Sequence, residues 1–297
     1  MPKVHKENVP IRPIISAVKT YNYNLAKYLC DILKPLIADN ESMLKDSFDF
    51  VNKVSNLNVE KDRYMVSFDI ESLFTNIPTN ETIEILIKLA FPKNTRRFHN
   101  LNKEDLRKLL VICTQESHFQ FNGKFYDQVD GVAMGSPLGP LFANAFMINF
   151  EKKQRNNLKK LGVEKWLRYV DDVFSTLKDK NAATEVINYL NEQHPNIRFT
   201  IEHEQKNKLP FLDTVVKRIN ERYITSLYHK KTFTGVYLNW TSLTSRKYKI
   251  GLIFCLLDRI WKICSEESNR LEEIEKLKAI LLKNVYPLHI VEKEIDR

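Results

Sequence analysis

The chain has 297 residues, 43% of them hydrophobic, and a formal net charge of +9, which is enough apolar content and length to bury a substantial core in one large body or two or three smaller ones. It holds no run of about 18 apolar residues and its opening "MPKVHKENVP" has no apolar signal core, so neither membrane insertion nor secretion is indicated and an intracellular protein is expected. Cys30, Cys113, Cys255 and Cys264 lie far apart with no CxxC spacing, which argues against a zinc site or a disulfide framework and for reduced thiols.

With only 7 glycines, no low-complexity tract and no fixed repeat, linkers between independent domains are not visible. In chain order, "DRYMVSFDIE" alternates Tyr64, Val66 and Phe68 against Met65, Ser67 and Asp69, the pattern of a half-buried strand with Asp69 near its end. "NETIEILIKLAF" sets Ile83, Leu86, Ile87 and Ala90 on one helical stripe, with Asn80 as cap. "NKEDLRKLLVICTQ" repeats the pattern with Leu106, Leu109, Leu110 and Cys113 behind Asn102. "HFQFNGKFYDQ" predicts a hairpin, since Asn122-Gly123 tolerates positive φ at both centres of a type I′ turn. "GVAMGSPLGP" crowds Gly131, Gly135 and Gly139 with Pro137 and Pro140, a tight turn into the helix "LFANAFMINFE". "RYVDDVFSTL" reads as strands 167–170 and 173–176 with Asp171-Asp172 at the tip.

"NIRFTIEHE" and "RYITSLYHKK" are two further strands, and "NRLEEIEKLKAILLKN" is a helix with Leu271, Ile274, Leu277 and Leu281 on one stripe. Hairpins and helices without regular βαβ units point to the α+β class with an antiparallel sheet. Between Lys217 and Lys262 stand ten Lys or Arg against Glu221 and Asp258, interleaved with Tyr223, Tyr228, Phe233, Tyr237, Trp240 and Tyr248. Cations beside stacking surfaces suit nucleic acid, although a plain basic face and core aromatics would look the same.

An aspartate pair inside an apolar run is costly to bury unless a positive group sits beside it. It is either a solvated turn or part of a cation site. If the strand ending in Asp69 neighbours the hairpin bearing Asp171 and Asp172, three carboxylates converge on one sheet edge, an oxygen-rich site that suits Mg²⁺ rather than zinc. Two such ions can activate an attacking hydroxyl and stabilise the leaving oxygen of a phosphoryl displacement, the chemistry of polymerases and many nucleases.

"SFDIESLFTNIP", "GVAMGSPLGPLFANAFM", "RYVDDVF" and "KLPFLD" follow one another in the order of reverse-transcriptase palm motifs, and the wording most resembles Penelope-like retroelements. "PKVHKENVPIRPIIS" resembles the fingers motif that precedes them, so the likeness runs from residue 1 to about residue 214. It implies a right-hand polymerase fold: partial fingers and connecting helices over 1–63, palm over 64–214, and a basic helical thumb over 215–297. The implied activity is RNA-directed DNA polymerase, a nucleotidyltransferase using two Mg²⁺ ions (or Mn²⁺), an RNA template, a DNA primer and dNTPs. The nucleus is the location the resemblance suggests.

Carried over by residue, the resemblance makes Asp69 and Asp171 the main metal ligands, Asp172 a secondary one and Ile70 a carbonyl donor. Phe74 takes the place of an aromatic gate against a 2′-hydroxyl, although spacing by itself favours core packing beside Leu73. Gly135, Ser136 and Pro137 would line the nascent base pair, and Arg12 with Lys3 and Lys6 would hold the triphosphate. Lys206 or Lys208 would serve as general acid, and Leu209, Pro210, Phe211 and Leu212 as primer grip. Lys247, Lys249, Arg259 and Lys262 would face the duplex from a helix burying Ile253, Leu256, Leu257 and Ile260. A helix-turn-helix over Lys247 to Asn269 is the weaker alternative, since no base-contacting residues can be named for it.

Two departures from the family stand out. The chain begins inside the fingers motif, and it ends at Arg297 without the Gly-Ile-Tyr and Tyr-Ile-Gly endonuclease signature, so a shortened reading frame is expected and target cleavage is not assigned. Two other functions compete: a noncatalytic nucleic-acid-binding remnant, and a telomerase-like polymerase copying an associated RNA.

Overall fold

The computed structural model of the chain describes residues 16–38, 40–57, 63–93, 95–115 and 118–297. Helix α1 (Tyr23–Leu33) runs into a 3₁₀ turn (Lys34–Ile37), followed by α2 (Ser47–Ser55), strand β1 (Tyr64–Ile70), the short α3 (Leu73–Asn76), α4 (Thr79–Ala90) and α5 (Lys103–Thr114). The hairpin β2 (His118–Phe121) and β3 (Lys124–Asp127) leads to the long α6 (Gly139–Lys160), then β4 (Val163–Tyr169), β5 (Asp172–Leu177), α7 (Lys180–Glu192) and β6 (Phe199–His203). The remainder is β7 (Lys208–Phe211), β8 (Thr214–Ile219), β9 (Arg222–Leu227), α8 (Arg246–Ile263), α9 (Glu267–Lys283) and α10 (Leu288–Ile295). Mixed helices and hairpins make this the α+β class. No helix among the described residues is long and apolar enough to cross a membrane.

The larger sheet has the order β4-β5-β1-β6, with β4 and β5 antiparallel, and a second sheet is the antiparallel meander β7-β8-β9. β1 lies inside the first sheet, and its neighbours Met65 and Val66 are both 0% exposed. Successive strand residues point to opposite faces, so both faces are covered there and the expectation of one open face is corrected. The β2–β3 hairpin turns at Asn122 and Gly123 with φ of 48° and 74°, the type I′ geometry that this dipeptide predicts.

The chain divides into two compact units, residues 1–43 with 68–202 and residues 44–67 with 203–297. In the first, α4 packs against α5 and α6. Leu86, Leu110, Phe142 and Phe146 are fully buried there, each such side chain contributing about 1.5–3 kcal/mol relative to exposure. In the second, Phe50 of α2 meets Phe211 of β7 at 4.6 Å between ring centroids, and α8, α9 and α10 close over Ile253, Ile260, Leu277, Leu281 and Val291.

Three local expectations are revised. Asn102 caps α5 as expected, its Oδ1 accepting from the Asp105 amide at 2.9 Å, but α4 begins after Pro78, and Asn80 instead accepts from Gln115 Nε2 at 2.6 Å. Leu256 and Leu109 are half-buried at the edges of their stripes. Leu271 is 58% exposed, because the buried stripe of α9 starts one turn later at Ile274.

Candidate active site

Strands β5 and β1 are neighbours, and at the end of β1 the Ile70 amide donates to the Asp171 carbonyl at 3.0 Å. The strand end carrying Asp69 is thereby tied to the hairpin tip carrying Asp171. On the other side, the Glu71 amide donates to the Arg198 carbonyl at 2.9 Å and Thr200 Oγ1 donates to the Asp69 carbonyl at 3.4 Å. Asp69, Asp171 and Asp172 are each half-buried. Ile70, the residue after Asp69, is buried, which suits a residue that contributes only backbone.

The tip differs by one residue from the sequence expectation. Tyr169 pairs with Asp172, so the two-residue loop is Val170-Asp171 and Asp172 opens β5. Val170 has φ of 53°, a left-handed conformation that costs a β-branched residue about 1–3 kcal/mol and must be over-determined by its surroundings. Arg168, 0% exposed, provides that restraint: its Nη1 donates to the Val170 carbonyl at 3.1 Å and to Asn144 Oδ1 at 2.9 Å. Its Nε and Nη2 donate to the two Glu151 carboxylate oxygens at 2.6 and 3.3 Å. Trp166 Nε1 also donates to Glu151 Oε1, at 2.8 Å, and its ring stacks on Phe68 of β1 at 5.5 Å. These partners escaped the sequence-based expectations, yet a signal was present. Glu151 is the one acid in "LFANAFMINFE", and an acid closing an apolar helical run calls for a buried cationic partner.

The glycine-rich turn lies against Phe74. The Val132 amide donates to the Phe74 carbonyl at 2.7 Å, and a β-carbon on Gly131, whose φ is 72°, would stand 2.4 Å from that oxygen. At Gly139, the first residue of α6, a β-carbon would lie 3.6 Å from the Phe74 ring. Phe74 is only half-buried, so its ring packs on the turn and keeps an open side. Ser136 accepts from the Leu138 amide through Oγ at 3.3 Å and from the Gly139 amide through its carbonyl at 3.1 Å, setting the entry to α6 beside Gly135 and Pro137. Lys3, Lys6 and Arg12, the expected triphosphate contacts, lie outside the described residues.

Among the described residues no group of three or more His, Cys, Asp or Glu forms a ready cage for a metal. A hard divalent cation needs less: one or two carboxylates, with water and substrate phosphates completing the shell. The oxygen-only donors on the joined ends of β1 and β5 fit that demand, and no Cys or His stands among them to favour zinc.

The remaining expected residues belong to the second unit and are described within it. Lys206 occupies a turn with Asn207, at φ of 52° and 59°, and Lys208 opens β7; both are exposed. Leu209 and Phe211 are buried, while Pro210 and Leu212 are half-buried, and Leu212 turns the β7–β8 hairpin with φ of 52°. Lys247 and Lys262 are exposed on α8, Lys262 pairing with Asp258 at 2.7 Å, and Arg259 pairs with Asp213 at 2.9 Å. Lys249 departs from the expected outward face: it is 6% exposed, and its ammonium donates to the Trp240 and Ser242 carbonyls at 2.6 and 2.7 Å. Buried cations are retained only with such partners, so Lys249 ties the loop before α8 to the helix. Tyr223 is core, whereas Tyr248 is 60% exposed under the Lys247 ammonium.

Known proteins resemble the chain in two of its regions and in its fold. A model of the animal helix-turn-helix domain matches residues 236–296, a range that takes in Lys247 to Asn269 and the helices α8, α9 and α10. Among solved structures, telomerase from Candida albicans in complex with a TWJ fragment of telomeric RNA matches at a TM-score of 0.61 and 14% identity, covering 87% of this chain and 47% of that one. Apo telomerase from Candida tropicalis matches at 0.53 and 13% identity, covering 93% and 50%. The BmCPV RNA-dependent RNA polymerase at its elongation state matches at 0.53 and 11%, covering 91% and 25%. The chain thus shares the right-hand polymerase fold and spans about half the length of the telomerases it matches. No curated protein matches the sequence. The reverse transcriptase (RNA-dependent DNA polymerase) model matches residues 4–209, most of the chain and all the motifs around Asp69 and Asp171, and the chain belongs to that family.

Proposed function

We propose that the chain is the RNA-directed DNA polymerase of a Penelope-like retroelement, extending a DNA primer with dNTPs on an RNA template. The observation that carries this is the Ile70–Asp171 hydrogen bond, which joins the ends of the neighbouring strands bearing Asp69 and Asp171, with the glycine-rich turn packed on Phe74 shortly after Asp69 in the chain. Asp69 and Asp171, with Asp172 and the Ile70 carbonyl in support, would hold two Mg²⁺ ions, for which Mn²⁺ can substitute. Such ions lower the pKa of the attacking hydroxyl and neutralise charge on the leaving oxygen. The half-buried Phe74 ring would lie under the incoming sugar and disfavour a 2′-hydroxyl. Lys3, Lys6 and Arg12 would bind the triphosphate, Gly135, Ser136 and Pro137 would line the new base pair, and Lys206 or Lys208 would protonate the departing pyrophosphate.

In this proposal the region over 1–63 is partial fingers, 64–214 palm and 215–297 thumb. Residues 209–212 would grip the primer. The exposed side of α8, through Lys247, Arg259 and Lys262, would meet duplex phosphates without reading sequence. α9 suits base reading poorly, since it presents the exposed acids Glu272 and Glu275, at 64% and 69%. Acids at a groove floor repel the backbone.

The test is primer extension on an RNA template in Mg²⁺ and in Mn²⁺, with Asp171→Asn alongside. Extension that disappears in Asp171→Asn supports the proposal. Primer-template binding without extension in either metal, including with upstream sequence restored, refutes it and leaves the noncatalytic remnant.

A further inference from the structure

We propose that Arg168 is a positioning residue: its buried guanidinium holds the Val170 carbonyl and so keeps Asp171 against the end of β1. The functional part of this inference rests on the polymerase reading, while the geometric part stands on the contacts alone. Arg168 distributes its donors over three residues on two elements: Glu151 and Asn144 on α6, and Val170 in the turn two residues ahead. Its backbone amide is anchored as well, donating to the Ser42 carbonyl at 2.7 Å. Glu151 is itself oriented by Trp166 Nε1.

Stability does not explain this arrangement, because a buried ion pair can usually be exchanged for apolar residues of similar volume at little cost. What an apolar replacement cannot supply is a donor to the Val170 carbonyl. Val170 is also the residue that needs one, since a β-branched side chain at φ of 53° relaxes toward the extended region when released. The next carbonyl in the chain, that of Asp171, receives the Ile70 amide. A rotation at Val170 would therefore be felt first as loss of that bond and displacement of Asp171 from Asp69. Arg168 thus links the helix that follows the glycine-rich turn to the geometry of the aspartate-bearing tip, without approaching a substrate itself.

The test compares the unaltered chain with the double variant Arg168→Met/Glu151→Leu, and with the same variant carrying Val170→Gly. The double variant is expected to melt within about 5 °C of the parent, since the pair is replaced by apolar volume. Hydrogen exchange at the Ile70 amide should accelerate at least about tenfold, with the interior of β1 unchanged. In primer extension kcat should fall at least about tenfold, with KM for dNTP within about threefold. Val170→Gly should restore most of both, because glycine takes positive φ without strain and needs no restraint. Should the double variant fail to fold, Arg168→Lys serves instead: it keeps a charge on Glu151 but lacks the fork that reaches Val170, and the same loss at Ile70 is expected. Unchanged Ile70 exchange in a folded variant, or no recovery on adding Val170→Gly, overturns the inference. If the unaltered chain extends no primer, the polymerase reading fails on its own, and Ile70 exchange still decides the role of Arg168.

Discussion

Replacing Gly131 by alanine probes the contact between the glycine-rich turn and Phe74. Gly131 has φ of 72°, and an added β-carbon would stand 2.4 Å from the Phe74 carbonyl oxygen and 2.5 Å from the Thr75 carbonyl carbon and oxygen. The left-handed conformation costs an alanine about 1–2 kcal/mol. Backbone atoms cannot swing aside as a side-chain tip can, so relieving the overlap adds about 1–3 kcal/mol. The sum, about 2–5 kcal/mol, corresponds to a melting shift of roughly 3–8 °C for a protein of this size. Gly162→Ala is the control within the same unit: φ is 91°, and the nearest atom to an added β-carbon is the Lys178 side-chain Cβ at 3.1 Å, so the neighbour need yield only a few tenths of an ångström. It should cost about 1–2 kcal/mol. Calorimetry of both variants decides the matter: if Gly131→Ala melts no lower than Gly162→Ala, the close approach does not govern this turn. Because the Val132 amide donates to the same Phe74 carbonyl at 2.7 Å, the Gly131 variant should also move the aromatic ring and weaken sugar discrimination.

Phe74→Ala should raise ribonucleotide incorporation relative to deoxynucleotide at a stability cost of about 1–3 kcal/mol for a half-buried ring, and unchanged sugar preference in competition assays would leave Phe74 with packing alone. Lys249→Met should destabilise the chain by about 1–3 kcal/mol in denaturant titration, because two buried carbonyls lose their donor, while leaving the salt slope of primer-template binding unaltered. Lys247→Ala should do the reverse, lowering the slope by up to about one with no change in melting. Burial pushes the Cys113 thiol up from the usual 9.0 to about 11, whereas Cys255 is exposed. At pH 8 Cys255 should therefore react first with a thiol reagent and Cys113 only on unfolding, as peptide mapping would show. A thiol whose pKa is raised in the folded state contributes stability that is full below its unfolded value, so stability should decline as pH rises from about 9 to about 11 and not below.

Much of the fold is legible from local chemistry. Asn102 announces the start of α5, Asn122-Gly123 the β2–β3 turn, and the apolar stripes of α4, α8 and α9 their buried faces, because capping, turn conformation and amphipathic period each depend on residues within a turn or two of one another. The wording and order of the motifs around Asp69, Gly131 and Asp171 likewise identified the family before any geometry was known. Where neighbours failed to predict structure, a distant contact had intervened. Met65 is buried on the side the alternation turned outward, because β1 is covered on both faces there. Lys249 is inside, because two carbonyls of the preceding loop converge on its ammonium. The hairpin tip falls at Val170-Asp171 rather than Asp171-Asp172, since strand register is chosen by pairing and by what restrains the turn, here Arg168 with Glu151 from α6. Sequence alone thus determined which carboxylates stand at the end of β1 and on the tip of the β4–β5 hairpin. Only the tertiary structure decided how the turn between them is held, because that depends on a buried charge whose partners are separated along the chain and meet only after the helix has packed on the hairpin.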